Sequence, residues 1–331
     1  MDSEENKLAK LLKDAERIVI IQADNVDGDS LSTALALEQI IGDMDKTVHM
    51  FCHSSIPDHL KYLQGWSRVS NELPSTGFDL SIIVDTSSIS LLDKVKPLDI
   101  STIKAHPVAV IDHHDVESTI DFATCYINRP AVSTGEIVYD LASKLDWKLN
   151  LSAMELLAVS ILYDSLGLMS SATTSHSIRI IADLVDNGVN LTQLDSQRRE
   201  SYRKSLELTH YKGQLLQRIE TYLDNKLSLV VIPWSEIQKY SPLYNPSMLV
   251  QEDMRLIEGN VMSVAIKLYS DGHITGKVRA AYGHPIAAKL AEHFGGGGHE
   301  YSSGFKTTNY SSDELKAEII KVTSELINET V

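Results

Sequence analysis

Cysteine is scarce in this 331-residue chain. Cys52 and Cys125 are the only two, and they make neither a disulfide framework nor a Cys-x-x-Cys metal knuckle. Their simplest role is as small buried hydrophobes in a reducing compartment. Basic charge is in deficit as well: 30 Lys and Arg against 45 Asp and Glu leave a formal charge of −15. A protein that tracks long nucleic acid normally shows a basic stripe, because phosphate neutralisation supplies most of the affinity. The overall field of this chain would repel a long polyanion, so short or mononucleotide substrates suit it better. No apolar run approaches the ~18 residues of a membrane span. The N-terminal stretch Met1-Asp2-Ser3-Glu4-Glu5 is acidic, without an apolar signal region. Asn-x-Ser/Thr sequons at Asn150, Asn190, Asn309 and Asn328 carry no meaning without export. A cytoplasmic protein is expected. There is no internal repeat, and the one low-complexity segment is a run of four glycines.

What is present is ordinary for a soluble globular protein, 43% hydrophobic and 23% charged. The length exceeds the usual reach of one core, so two domains are expected. In the first half, an amphipathic helix over 8–15 precedes an apolar strand over 17–21. Ser30 can cap a helix over 31–41, and strands follow at 47–52, 80–84 and 108–111. These runs are continuous rather than alternating, which predicts strands covered on both faces: a mainly parallel sheet with helices on each side. Helical patterns dominate 134–186. A polar helical stretch containing Gln197-Arg198-Arg199-Glu200 reads as a connector, a long helix between domains. Strands at 227–232, 261–268 and 274–279 and helices at 285–293 and 312–326 complete a smaller α/β unit. The expected organisation is a parallel-sheet α/β domain over 1–190, a helical linker over 191–225 and a second α/β domain over 226–331.

Acidic and histidine clusters fall at strand ends or within a helix: Asp27-Gly28-Asp29, Asp85, Asp112-His113-His114, and Asp164 in an otherwise apolar helical run. Taken singly, Asp27-Gly28-Asp29 reads as a turn or helix cap, and Asp85 before Thr86-Ser87-Ser88 as another cap. Asp164 is harder to place that way, because a lone carboxylate in so apolar a helix needs a partner. In an open parallel sheet the carboxyl ends of the strands form one crevice, so the first three clusters should converge there. Carboxylates with an imidazole suit Mn²⁺ or Mg²⁺, and a pair of such ions is a common phosphoryl-transfer clamp. Gly295-Gly296-Gly297-Gly298-His299 lets backbone N–H groups approach an anion. Arg279 is the best cation for a substrate phosphate, with Lys277 on the same strand face.

The order Asp27-x-Asp29, Asp85, Asp112-His113-His114, Asp164, then Gly-Gly-Gly-Gly-His299 about 180 residues beyond the triplet, resembles the DHH phosphoesterases with a DHHA1-type C-terminal domain. The resemblance spans nearly the whole chain. It is greatest to the oligoribonuclease/pAp-phosphatase (nano-RNase A) branch of this RecJ-like superfamily. It implies two Mn²⁺ (or Mg²⁺) ions, one held by Asp27 and Asp85, the other by Asp29, Asp85, His113 and Asp164, with Asp85 bridging. By the same resemblance His114 faces the scissile phosphate, Asp112 orients the pair, and Arg279, Gly297, Gly298 and His299 grip the substrate.

The chain departs from the family at one ligand: where the first motif usually begins with His, it has Ala23, in Ala23-Asp24-Asn25-Val26-Asp27. The first metal site then lacks a protein ligand, to be replaced by Asp24, Asn25 or water. Asp164-Ser165-Leu166-Gly167 and Lys277-Val278-Arg279-Ala280 also differ from the usual Asp-Thr-Gly and Ser-x-Arg-Ser. The resemblance implies metal-dependent hydrolysis of short oligonucleotides and/or 3′-phosphoadenosine 5′-phosphate by an activated water. Alternatives within enzymes are a cyclic- or linear-dinucleotide phosphodiesterase and a RecJ-like single-strand exonuclease; the glycine motif argues against a pyrophosphatase. From another class, Ala23 favours a catalytically weakened nucleic-acid-binding or scaffold subunit. Expected partners are short oligonucleotides or a mononucleotide bisphosphate, no membrane, and a homodimer as one allowed state.

Overall fold

The continuous apolar runs become strands buried on both faces. A computed structural model of the protein describes residues 3–74 and 77–330, and the chain divides into two compact units, Met1–Arg203 and Lys204–Val331. In the first, α1 (Glu4–Asp14) leads into β1 (Arg17–Gln22), α2 (Gly28–Gly42), β2 (Thr47–Phe51), β3 (Val69–Ser70) and β4 (Leu80–Val84). Then come α3 (Pro97–Lys104), β5 (Val108–Asp112), β6 (Cys125–Asn128), α4 (Thr134–Lys144), α5 (Leu151–Asp164), α6 (Ser175–Asp186) and α7 (Leu191–Ser201). The six strands are all parallel, in the order β3-β2-β1-β4-β5-β6.

Alternate residues of one strand serve two cores. Ile18, Ile20, Ile82 and Ala109 pack with Leu31, Leu35 and Leu157 of α2 and α5. Val19, Ile21, Ile83 and Val110 pack on the opposite side with Ile103 of α3. Helices therefore cover both faces, as expected of a doubly wound sheet. The strand order reverses between β1 and β4, and at such a switch point the carboxyl ends of the strands leave an open crevice.

The expected long connector helix is two helices. α7 ends at Ser201, and Ser205, in an extended conformation, accepts from Leu208 N at 3.2 Å to cap α8 (Leu206–Gln217). A serine cap satisfies an otherwise orphaned N–H and starts a new helix rather than continuing an old one. The division between units falls in this gap.

The second unit continues with β7 (Glu220–Tyr222), β8 (Leu227–Ile232), α9 (Trp234–Tyr240), α10 (Pro246–Arg255), β9 (Met262–Leu268) and β10 (Ile274–Ala280). It ends with α11 (Ala287–His293), β11 (Gly297–His299), β12 (Ser302–Thr307) and α12 (Ser312–Thr330). Its sheet runs β11-β12-β10-β9-β8-β7 and is antiparallel except for β8 beside β9. α11 and α12 pack on one face. Helices α8, α9 and α10 pack on the other, over β8 and β9. Among the described residues, no helix is long and apolar enough to cross a membrane.

Candidate metal centre

Four of the sequence clusters meet at the crevice. Asp27 is the N-cap of α2, its Oδ1 accepting from Ser30 N at 3.0 Å, and Asp29 lies in the first turn of that helix. Asp85 follows β4 in a left-handed conformation, φ 58°, which is uncommon away from glycine but open to Asp and Asn. His113 and His114 follow the last residue of β5, and Asp164 is the last residue of α5.

His113 organises the group. Its Nδ1 lies 3.2 Å from Ala131 O, so Nδ1–H donates to that carbonyl and the Nε2 lone pair faces inward. Nε2 lies 3.3 Å from Asp164 Oδ2, 3.5 Å from Asp85 Oδ1 and 3.7 Å from Asp29 Oδ2, and is buried without a hydrogen bond of its own among the described residues. Two triplets have ligand atoms within 4.8 Å of one another: Asp29, His113 and Asp164, and Asp85, His113 and His114. They share His113, and Asp27 belongs to neither. An orphaned imidazole nitrogen walled by carboxylates fits a divalent cation such as Mn²⁺ or Mg²⁺.

The electrostatics of the cluster favour a cation. Burial raises the pKa of Asp85 well above the ordinary carboxylate value, and the charges of Asp29, Asp27 and Asp164 push the same way. Asp29 is raised by burial and then by Asp164, against hydrogen bonds from Ser160 and Thr134. Asp27 is raised by burial and by Asp29. Burial opposes a charge on His113, but the close carboxylate of Asp164, with the charge of Asp29 and the bond to Ala131 O, pushes it up to about 9. Surroundings that draw a proton to Nε2 draw a metal ion for the same reason.

Several residues that hold the ligands were not singled out in the sequence. Asp29 Oδ1 accepts from Ser160 Oγ at 2.5 Å and Thr33 Oγ1 at 3.0 Å, and its Oδ2 accepts from Thr134 N at 2.7 Å. Thr134 Oγ1 donates to Asp85 Oδ1 at 2.9 Å, so the start of α4 fixes both carboxylates. The signal for Ser160 was available: it is a hydroxyl inside the apolar run Leu156 to Leu162, one turn before Asp164. Ser160→Ala strips Asp29 and Gly135 N of a partner at 2.5 and 3.1 Å. Losing a bond to a buried charge predicts a drop of about 1–3 kcal/mol in urea unfolding of the metal-free protein. A change under ~0.5 kcal/mol, the scale of a surface substitution, would show that Ser160 does not hold Asp29.

Asp112 is fully buried and spent on orientation. Its Oδ1 accepts from His114 Nδ1 at 2.7 Å and His113 N at 2.9 Å, and its Oδ2 accepts from Ser87 Oγ. Burial is outweighed by these bonds and its pKa is lowered, while its hydrogen bond raises that of His114. The half-exposed His114 ring stands 4.4 Å from that of His113.

Ala23 is buried and offers only a methyl group. Next to it, Asp24 Oδ2 accepts from Lys94 N at 2.9 Å, whereas Asp24 Oδ1 is buried without a partner among the described residues. Asn25 is exposed. A separate cavity of about 650 Å³ is lined by Tyr62, Tyr163, Leu194 and Arg198, none of them read from the sequence as a site residue.

In the second unit, the four glycines do two jobs. Gly295 N and Gly296 N donate to Glu292 O and Ala291 O at 2.9 and 2.8 Å, closing α11, with Gly295 at φ 76°. This is a Schellman stop, and it spends those N–H groups on helix carbonyls. A Cβ on Gly296 would stand 2.2 Å from Gly304 O, so the close approach excludes any side chain. Gly297, Gly298 and His299 form β11, exposed at the sheet edge, where outward N–H groups have no ladder partner. Arg279 lies on β10, its Nη1 donating to Val278 O at 2.8 Å.

The doubly wound order, the crevice at its switch point and this carboxylate–imidazole set fit the DHH phosphoesterases that the sequence motifs resemble. Residues 17–163 match the DHH family, N-terminal domain. The bifunctional oligoribonuclease and PAP phosphatase NrnA of Bacillus subtilis (strain 168) is 23% identical over 303 residues, 90% of this chain and 91% of its own. The A-adding tRNA nucleotidyltransferase of Aquifex aeolicus (strain VF5) is 24% identical over 304 residues, 92% of this chain. The chain spans about a third of that relative's length, 34%. Among solved structures, an exopolyphosphatase-related protein from Bacteroides fragilis shares the fold with a TM-score of 0.81 at 20% identity, covering 98% of this chain and 97% of that one. RecJ in complex with Mn²⁺ from Thermus thermophilus gives 0.50 at 16%, covering 97% and 54%.

Proposed function

We propose that the chain is a phosphodiesterase/exonuclease-type hydrolase acting on short oligonucleotides, on 3′-phosphoadenosine 5′-phosphate, or on both. One observation carries this reading: the unspent His113 Nε2, aimed at Asp29, Asp85 and Asp164 by its bond to Ala131 O. The oligoribonuclease and PAP phosphatase activity for which the Bacillus relative is named supports the substrate class, and the charge of −15 favours short substrates over long ones.

In this reading Asp27, Asp29, Asp85, His113 and Asp164 hold divalent cations, two being the number proposed. When bound, such ions supply Lewis acidity and lower the pKa of water. The remaining steps belong to the chain. Asp85 is pinned by Thr134 and held in its left-handed conformation, so its carboxylate stays aimed into the cluster without reorganisation. His114, whose pKa is raised by its bond to Asp112, is the proposed donor from Nε2 to a phosphate oxygen, where it would stabilise developing charge. Arg279, Gly297, Gly298 and His299 of the second unit are the proposed substrate-binding groups. Arg279 offers a planar fork for phosphate, and the exposed N–H groups of β11 suit an anion.

The test is a Mn²⁺ titration with 3′-phosphoadenosine 5′-phosphate and a 5′-labelled RNA dinucleotide assayed side by side. Metal-dependent release from at least one is expected. No release from either, with no metal taken up, would overturn the reading and favour the non-catalytic subunit that Ala23 suggests.

A further inference from the structure

On one sheet face of the second unit, the outward positions of β10 and β12 lie outside the hydrophobic cores and carry cations. Along β10 the buried residues Ile274, Gly276, Val278 and Ala280 alternate with half-buried Thr275, Lys277 and Arg279. α8, α9 and α10 cover the Lys277 side of the sheet over β8 and β9. Beyond them, the outward positions of β10 and β12 are Thr275, Lys277, Arg279, Ser302, Gly304 and Lys306, and none of these belongs to a core.

The register spaces the cations with small residues. Lys277 stands between Ala265 and Gly304, Arg279 between Ser263 and Ser302, and Thr275 between Lys267 and Lys306. Lys267 and Lys277 are diagonal neighbours, an arrangement that repels unless an anion lies between. None of Lys267, Lys277, Arg279 and Lys306 makes an ion pair among the described residues. Lys267 Nζ donates to Asn245 Oδ1 at 2.6 Å, and Lys277 Nζ meets only the Met248 thioether. Burial lowers the pKa of Lys267, and burial with the charges of Arg279 and Lys267 lowers that of Lys277.

The three lysines line an open cavity. It holds about 500 Å³ and is lined by Lys267, Lys277 and Lys306, by Asn245 and Ser247 at the start of α10, and by Gly295 and Gly296 of the glycine run. The start of α10 adds the positive end of a helix dipole. In a chain of net charge −15, unpaired lysines gathered around a small-residue floor are costly unless a ligand neutralises them.

We propose that this cavity is a phosphate site in which Lys267, Lys277 and Lys306 hold phosphate groups additional to the one assigned to Arg279. The proposal rests on the nucleotide-substrate reading above, and it accepts two sources of one chemistry: a terminal phosphate or an internal phosphodiester.

Calorimetric titration of the full chain in EDTA, where no turnover occurs, tests it with two probes. Adenosine 3′,5′-bisphosphate carries terminal phosphates only, and the trinucleotide ApApA carries internal phosphodiesters only. Lys267→Gln, Lys277→Gln and Lys306→Gln should each weaken at least one probe roughly tenfold. Each should also flatten the logarithmic salt dependence of ApApA binding by about 0.7 if that is the probe affected. Lys277→Arg should restore binding. Loss confined to the bisphosphate assigns a terminal phosphate, and loss confined to ApApA assigns the backbone. Lys306 is exposed, so Lys306→Gln reports on the site even where a variant of the half-buried pair fails to fold. Unchanged affinity and salt dependence for both probes overturns the proposal, as does a natural chain that binds neither. Lysine-dependent binding without any Mn²⁺-dependent hydrolysis would instead sink the enzymatic reading and leave this site standing.

Discussion

Asp85→Asn is expected to lower turnover at least about a thousandfold while making the metal-free protein more stable. The loss follows from removing a charge that several kcal/mol of cation-mediated transition-state stabilisation would depend on. The gain follows from the repulsion in the cluster. Asp85 has its pKa raised by burial and by Asp29, Asp27 and Asp164. A group whose folded pKa lies above its unfolded value stabilises the fold at low pH and loses that contribution as pH rises through the folded value. At neutral pH an ionised Asp85 therefore works against the metal-free fold. Asparagine removes the charge, can still accept from Thr134 Oγ1, and tolerates the left-handed backbone at φ 58° that alanine would strain. Thermal melts in EDTA across a pH series should show the natural chain weakening as pH climbs above about 4, and Asp85→Asn weakening less. A variant that melts lower than the natural chain at every pH would show that Asp85 is a structural carboxylate rather than a strained ligand. Full turnover by the same variant under saturating Mn²⁺ would end the metal-centre reading.

Mn²⁺ is expected to raise the melting temperature of the natural chain, because a cation relieves the same repulsion. At a free concentration 100 times its Kd, one bound ion adds about 2.7 kcal/mol. For a unit the size of Met1–Arg203 that is roughly 5–10 °C, reversed by EDTA. Asp164→Asn and Asp85→Asn should each shrink the rise, since both carboxylates face His113 Nε2 at 3.3 and 3.5 Å. Calorimetric melts with and without the ion decide it. No rise in the natural chain would mean that the carboxylates and His113 pair only with one another.

The sheet was legible in the sequence because its strands are buried on both faces. Val19 and Ile21 had to be as apolar as Ile18 and Ile20, since each pair feeds a different core. The same logic made Asp29, Asp85, Asp112 and Asp164 conspicuous, as charges stationed where the chain otherwise excludes water. The connector was misread as one helix because a polar helical pattern runs on past Tyr202, and only Ser205 marks the restart. The glycine run was read for anion binding in preference to a helix stop, and the close approach of Gly296 to Gly304 was hidden because it depends on β12, which lies beyond it in the chain.

By itself, then, the sequence determined the ligand chemistry and the parallel α/β plan, because composition and hydrophobic period are local properties. Only the tertiary structure decided which atoms meet. Nothing local says that His113 spends Nδ1 on Ala131 O and keeps Nε2 for three carboxylates, that Ser160 and Thr134 hold those carboxylates, or that Lys267, Lys277 and Lys306 share one cavity floor. Those pairings join residues up to 131 positions apart, as Ser160 and Asp29 are. They exist because helix docking and strand register bring distant backbones together.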